Sequence, residues 1–247
     1  MDRPAIADVV RAYRGAKSRE ELFGEWGAAV CYRPFSFLLT PWAVAVGLGP
    51  TTVTVLSFLV VLALPLLALL GGGQGHLALS LGAIAVGILD CVDGDIARVT
   101  GRISRFGQYC DFIVDVLYRP IMYGAVGVLI QAGVGTAGDL GWLGRQALAL
   151  GILAALLAIT ARLSRVYVER WPEEANPYDK PVEGEAPPKR GLLGLVFPFI
   201  SGLDHLLPFF VLVAGASGQL EWVLVWLLAY SALDFLYTEY AILRRLA

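Results

Sequence analysis

Between Leu89 and Arg119 the chain reads LDCVDGDIARVTGRISRFGQYCDFIVDVLYR, and four of its acidic residues fall into two spaced pairs. Asp90 and Asp93 are three residues apart, Asp111 and Asp115 four apart. On helices each pair shares one face. Four ionised carboxylates cannot sit together unaided in a low-dielectric setting, so they are either protonated or neutralised by cations. Hard divalent cations such as Mg2+ or Mn2+ take oxygen ligands and accept water or phosphate for the remainder. Two such ions, roughly 3.5–4 Å apart, form a clamp for in-line displacement at phosphorus. No softer metal competes: His76 and His205 are solitary, and Cys31, Cys91 and Cys110 lack ligand spacing and read as small buried hydrophobes.

The residues between the acids suit a diphosphate. Gly94 and Ala97 lie on the helix of the first pair and let a bulky ligand approach closely. Gly107, one turn before Asp111, clears the same space from the other side. Arg98 is one turn past Gly94, and its planar fork matches phosphate oxygens. Ser104 stands in the turn, placed to donate to a phosphate oxygen. Small residues flanking acids, with a cation nearby, describe a nucleotide-diphosphate pocket better than an ion pathway. Asp95 is rotated away from Asp90 and Asp93 and is expected to be solvated or paired. Arg119 lies one turn beyond Asp115; Arg162 and Arg165 lie at the end of a later apolar stretch. Each is either a partner of the acids, a snorkelling interface residue or a ligand for an anionic acceptor.

The elements that must carry these residues are membrane-spanning. Of 247 residues, 57% are hydrophobic and 16% charged, against about 45–50% and about 25% in soluble domains. So apolar a chain is not disordered, and a net charge of −2 with mixed signs argues against nucleic acid as a partner. The apolar residues come in blocks of about 20, the span of a bilayer core. Six transmembrane helices are expected, at 50–70, 77–99, 105–132, 146–168, 193–215 and 219–242. Pro198 and Pro208 are expected to bend the fifth or break its start. The short GRIS turn that begins at Gly101 implies that the second and third run antiparallel, side by side, bringing all four acids to one depth.

Ahead of the spans, residues 4–22 read as a short helix with Val9, Val10 and Tyr13 on one side. Residues 26–48 carry Arg33, Pro34 and Pro41 and read as an amphipathic helix at the membrane surface. The first 20 residues lack the apolar run of a signal peptide, so the N-terminus is expected to be retained. The chain divides at 1–48, a cytoplasmic and juxtamembrane segment, and 49–247, the transmembrane domain. Lys and Arg concentrate in alternate loops and at both ends, and the positive-inside rule then places both termini in the cytoplasm of a multi-pass cell-membrane protein. Residues 171–190, rich in Pro and Glu, read as a cytoplasmic loop. Trp42, Trp142, Trp171 and Trp222 read as interfacial anchors.

Asp90, Asp93, Gly94, Ala97, Arg98, Gly107, Asp111 and Asp115 reproduce, at every spacing, the signature D-x-x-D-G-x-x-A-R-x8-G-x3-D-x3-D of the CDP-alcohol phosphotransferases. The chain resembles that family over these 26 residues and, in its six-span layout, over most of its length. The resemblance implies transfer of a substituted phosphate from a CDP-linked donor, most often CDP-diacylglycerol, to an alcohol, with release of CMP. It implies two Mg2+ or Mn2+ ions on Asp90, Asp93 and Asp111, and Asp115 as the base that also touches a metal. Gly94, Ala97, Arg98 and Gly107 would line the cytidine diphosphate site. It also implies a homodimer working on membrane lipids.

Many members open the first span with Pro-Asn and a Thr or Ser three residues later. Here Pro50 is followed by Thr51 in place of Asn, while Thr54 fits. The acceptor reading leans to a phosphorylated alcohol such as inositol phosphate or glycerol phosphate through Arg119, Arg162 and Arg165. Two alternatives stand beside it. One is transfer of a CDP-choline or CDP-ethanolamine head group to a lipid alcohol. The other, of a different class, is an ion-coupled transporter, which predicts acids at mid-membrane on broken helices; the acids here lie near one surface.

Overall fold

The computed structural model describes residues 4–16, 21, 25–138, 140–168 and 202–246. Among the described residues the chain is all-α, apart from an isolated antiparallel bridge between Thr136 and Gln219. Three short helices come first: α1 (Ile6–Ala16), α2 (Trp26–Cys31) and α3 (Arg33–Ala45). Then follow α4 (Pro50–Leu70), α5 (Gly75–Thr100), α6 (Arg105–Gln131), α7 (Gly141–Val168), α8 (Leu207–Ala216) and α9 (Leu220–Leu246).

Five of these, α4, α5, α6, α7 and α9, are long and apolar enough to cross a bilayer. This is a multi-pass membrane protein. The expected fifth span, 193–215, lies outside the described residues up to 201; from 202 onward it continues as a short apolar helical stretch whose α8 carries Pro208 in its first turn. Pro198 and the 171–190 loop also lie outside the described residues.

The packing is that of a protein in lipid. On α4, Leu56, Leu59, Leu62, Leu66 and Leu69 point outward, while Val53, Val61, Leu64 and Ala68 are buried. The core joins α4 to α9 around Leu64, Leu79, Met122, Tyr123, Leu129, Leu224 and Leu227. α6 and α7 approach closely through glycine: a Cβ on Gly127 would lie 2.6 Å from the Ala147 carbonyl oxygen, and one on Gly151 2.7 Å from that of Tyr123.

Two expectations need correction. The 26–48 segment is not one helix but two, broken at Tyr32. Pro34 sits in the first turn of α3, where a missing N–H is tolerated but a preceding helix cannot run through. Moreover α3 buries its polar side, Arg33, Ser36 and Thr40, and exposes Phe35, Leu38, Leu39 and Trp42. An apolar outer face suits lipid, and the inner face is polar because it meets charged groups on α5. The second correction concerns α5 and α6. α4 packs extensively against both, whereas α5 and α6 touch each other sparingly.

The α5–α6 turn explains how the acids still meet. Gly101 takes a φ of +66°, the left-handed conformation that glycine adopts without a Cβ penalty, and ends α5. Ser104 then caps α6, its Oγ accepting from the Gly107 N–H at 2.9 Å. The two helices meet at that turn and diverge beyond it. α1 is close to expectation, with Val9 and Tyr13 buried and Val10 half-buried.

Candidate active site and metal centre

Asp90 and Asp93 from α5 and Asp111 from α6 each offer a carboxylate oxygen, and these oxygens all lie within 4.8 Å of one another. Asp93 is buried; Asp90 and Asp111 are exposed. Thr54 of α4 donates to Asp93 Oδ2 at 2.6 Å. Behind the acids, Val61, Val86 and Val114 close an apolar floor contributed by α4, α5 and α6. Three carboxylates this close stay ionised together only with a cation among them. An all-oxygen donor set at that spacing fits a hard divalent ion.

The expected four-acid convergence is three plus one. Asp115 stands a full turn further along α6, about 6 Å beyond Asp111 at 1.5 Å per residue, and is not in the close group. It pairs instead with Arg162 of α7, whose Nη2 donates to Asp115 Oδ2 at 3.0 Å.

Two cavities share these acids. One, of about 120 Å³, is lined by Thr51, Thr54, Asp93, Gly94, Ala97, Arg102, Ser104, Gly107 and Asp111. The other, of about 160 Å³, is lined by Tyr32, Asp90, Asp115, Tyr118, Arg119, Arg162, Asp204 and His205. In the first, a Cβ on Gly107 would lie 2.8 Å from Thr51 Oγ1 and 3.0 Å from Ser104 Oγ, so glycine keeps that wall open. Thr51 Oγ1 lies 3.0 Å from Ser104 Oγ.

The arginines divide. Arg119 lines the second cavity with its Nε 2.8 Å from Asp204 Oδ2. Arg162 lines the same cavity. Arg165 is placed elsewhere: its Nη1 and Nη2 donate to the two carboxylate oxygens of Asp234 on α9 at 2.7 and 3.0 Å, and Nη1 also reaches Thr238. Arg98 donates through Nη2 to Asp95 Oδ1 at 2.7 Å. Asp95 is paired, as one expected option had it, but buried rather than solvated.

Several residues at the site were not singled out beforehand. Asp204, Tyr32 and Glu25 line the second cavity, and His205, solitary in the sequence, joins them. An acid inside the apolar 193–215 block was the available signal for Asp204, since intramembrane acids are usually functional. His76 is buried against Gly215, away from both cavities.

A model of the CDP-alcohol phosphatidyltransferase family matches residues 48–227. The chain belongs to the CDP-alcohol phosphatidyltransferase family. Membership makes it a membrane transferase of phospholipid biosynthesis that moves a phosphatidyl group from a CDP-alcohol, in a family that works with divalent metal ions. No curated protein matches the chain by sequence. The matched stretch of this phosphatidyltransferase contains every acid and arginine of the two cavities except Glu25, and it starts after α1, α2 and α3.

Proposed function

We propose that this phosphatidyltransferase moves the phosphatidyl group of CDP-diacylglycerol to a water-soluble alcohol at the cytoplasmic face of the cell membrane, releasing CMP. The observation that carries the reading is the seat of three acids shared between two cavities. A diphosphate in the cavity of Thr51, Thr54, Ser104 and the glycines lies beside Asp93 and Asp111. An alcohol in the other cavity reaches the same centre past Asp90 and Asp115. That is the arrangement an in-line displacement needs.

Asp90, Asp93 and Asp111 would hold the divalent ions, with Asp115 adjacent, and bound Mg2+ or Mn2+ supplies the charge that neutralises the diphosphate and the leaving CMP. Gly94, Ala97 and Gly107 would make room for the nucleotide, Ser104 would meet its phosphates, and Arg98, outside the cavity lining and engaged by Asp95, would turn toward them. Asp115, its carboxylate oriented by Arg162, takes the proton of the acceptor hydroxyl. The hydroxyl oxygen bonds to the phosphorus that carries the diacylglycerol, the bond from that phosphorus to the bridging oxygen breaks, and CMP leaves with the bridging oxygen. A carboxylate is a weak base toward a free alcohol, but proton transfer can lag bond making in a loose phosphoryl transition state.

Arg119 and Arg162 support an acceptor that carries a phosphate, such as inositol phosphate or glycerol phosphate. Arg165, engaged by Asp234, has no part in this reading. The loop charges support cytoplasmic termini, and the family resemblance supports a homodimer, which native mass spectrometry tests.

The decisive experiment incubates purified protein with CDP-diacylglycerol, Mg2+ or Mn2+ and a panel of alcohols, and identifies the lipid formed. CDP-choline and CDP-ethanolamine with diacylglycerol make the reverse arm. Release of CMP with a new phospholipid supports the proposal; cation-driven uptake without CMP release replaces it with a carrier.

A further inference from the structure

Asp95 follows the signature glycine Gly94 and is buried where α5 meets α3. Its Oδ1 accepts from two guanidinium groups, Arg33 Nη1 at 3.1 Å and Arg98 Nη2 at 2.7 Å, and its Oδ2 accepts from Ser36 Oγ at 2.7 Å. Arg33 is itself buried and forked onto Glu21: Nε donates to Oε2 at 2.9 Å, and Nη2 donates to Oε1. Tyr13 of α1 donates to the same Glu21 carboxylate at 2.8 Å, and Arg33 lies 4.8 Å above the Tyr13 ring. Charges therefore alternate along one line, Glu21, Arg33, Asp95, Arg98, running from the N-terminal helices to the signature motif.

The line ends beside the donor cavity, whose lining includes Gly94 and Arg102 but not Arg98. A Cβ on Gly94 would lie 3.1 Å from Arg98 Nη2, so the Arg98 guanidinium lies over the residue that walls that cavity. One of its amino groups is held by Asp95, and its Nε is buried with no hydrogen-bond partner. Because Arg98 lies outside the lining, meeting a diphosphate in that cavity means turning toward it and loosening its hold on Asp95. Asp95 can tolerate this because Arg33 and Ser36 still neutralise and hydrogen-bond it. Without Arg33, Arg98 becomes the cationic partner of a buried carboxylate, and stranding such a carboxylate is strongly unfavourable.

We propose that Arg33, outside the stretch matched by the family, is a positioning residue that makes Arg98 available to the donor diphosphate by sharing Asp95. The proposal rests on the phosphatidyl-transfer reading above. Its test measures CDP affinity in Mg2+ by calorimetry, with kcat and donor KM, in wild type, Arg33→Gln, Arg33→Lys, Asp95→Asn and the Arg33→Gln/Asp95→Asn pair. Folding is checked by size-exclusion profile.

Arg33→Gln is expected to weaken CDP binding and raise donor KM about tenfold, the scale on which supporting residues act on a charged site, with kcat changed far less. Arg33→Lys recovers part of the loss. Adding Asp95→Asn to Arg33→Gln recovers donor affinity, because a neutral side chain no longer holds Arg98; this non-additivity is what a merely structural role would not produce. Unchanged CDP affinity in folded Arg33→Gln, or additive losses in the pair, overturns the proposal. Should Arg33→Gln fail to fold, Asp95→Asn alone decides: CDP affinity held or improved supports the proposal, and a tenfold loss (about 1.4 kcal/mol) overturns it. Wild-type protein that binds no CDP in Mg2+ refutes instead the phosphatidyl-transfer reading itself.

Discussion

Thr54 Oγ1 lies 2.6 Å from Asp93 Oδ2, so the first long helix supplies the hydrogen bond that orients the one buried acid of the three-carboxylate group. Thr54 falls in the donor cavity, but its closest partner is the acid rather than open space. Partners of this kind hold a ligating carboxylate in one rotamer. Thr54→Val keeps the shape and loses the donor. It should weaken Mn2+-dependent CDP binding about 10–100-fold, read by calorimetric titration, and Thr54→Ser should retain it. Equal affinity in the Val variant would show that Asp93 needs no orienting.

Asp115→Asn removes the proton acceptor while leaving the three-acid group intact. Turnover should fall about 10²–10⁴-fold, with CDP affinity near that of wild type. A rate near wild type in the purified variant removes Asp115 from the base role.

Asp90→Asn and Asp111→Asn should instead abolish metal-dependent CDP binding, because each removes an oxygen from the group that brings three carboxylates within 4.8 Å. Chelation of wild-type protein should do the same, and re-addition of Mg2+ should restore binding to wild type alone. CDP binding that survives chelation would separate the nucleotide from the metal.

Arg162 and Arg165 are three residues apart yet do different work. Arg165→Met strands Asp234 between α7 and α9 and should lower stability by about 1–3 kcal/mol, seen as faster thermal inactivation, with both substrate KM values unchanged in the surviving protein. Arg162→Met should raise the acceptor KM and leave thermal inactivation nearly unaltered. The reverse pattern would move the acceptor site to the α7–α9 contact.

Burial pushes the Tyr13 phenol up to about 12, and its hydrogen bond to Glu21 acts in the same direction. The unfolded phenol titrates near 10. The folded state therefore favours the protonated ring, and the stability it contributes is whole below about pH 10 and lost as pH rises through the folded value. Phenolate absorbance should show a late-titrating tyrosine that Tyr13→Phe lacks. Titration with the bulk of the tyrosines would mean that α1 is not docked.

Much of the candidate site could be read from spacing. Eight residues from Asp90 to Asp115 carry a pattern that helical periodicity turns into two acid pairs, each on one helical face, and no longer-range knowledge is needed to see that much. The apolar blocks likewise announce spanning helices, because a bilayer sets their length whatever the packing; α4 begins and ends where Pro50 and the Gly71 run say it should. Partnership is another matter. Asp115 belongs with Arg162, Arg119 with Asp204, Arg165 with Asp234 and Asp95 with Arg33, and each of these pairs joins residues at least 47 positions apart. No local period encodes such pairs; they exist only once α4 has packed against both α5 and α6 and the N-terminal helices have docked on α5. By itself the sequence determined which side chains carry charge and on which helical face. The tertiary structure decided which charges neutralise one another, because in a medium of low dielectric each buried ion must take whichever partner the packing brings within reach.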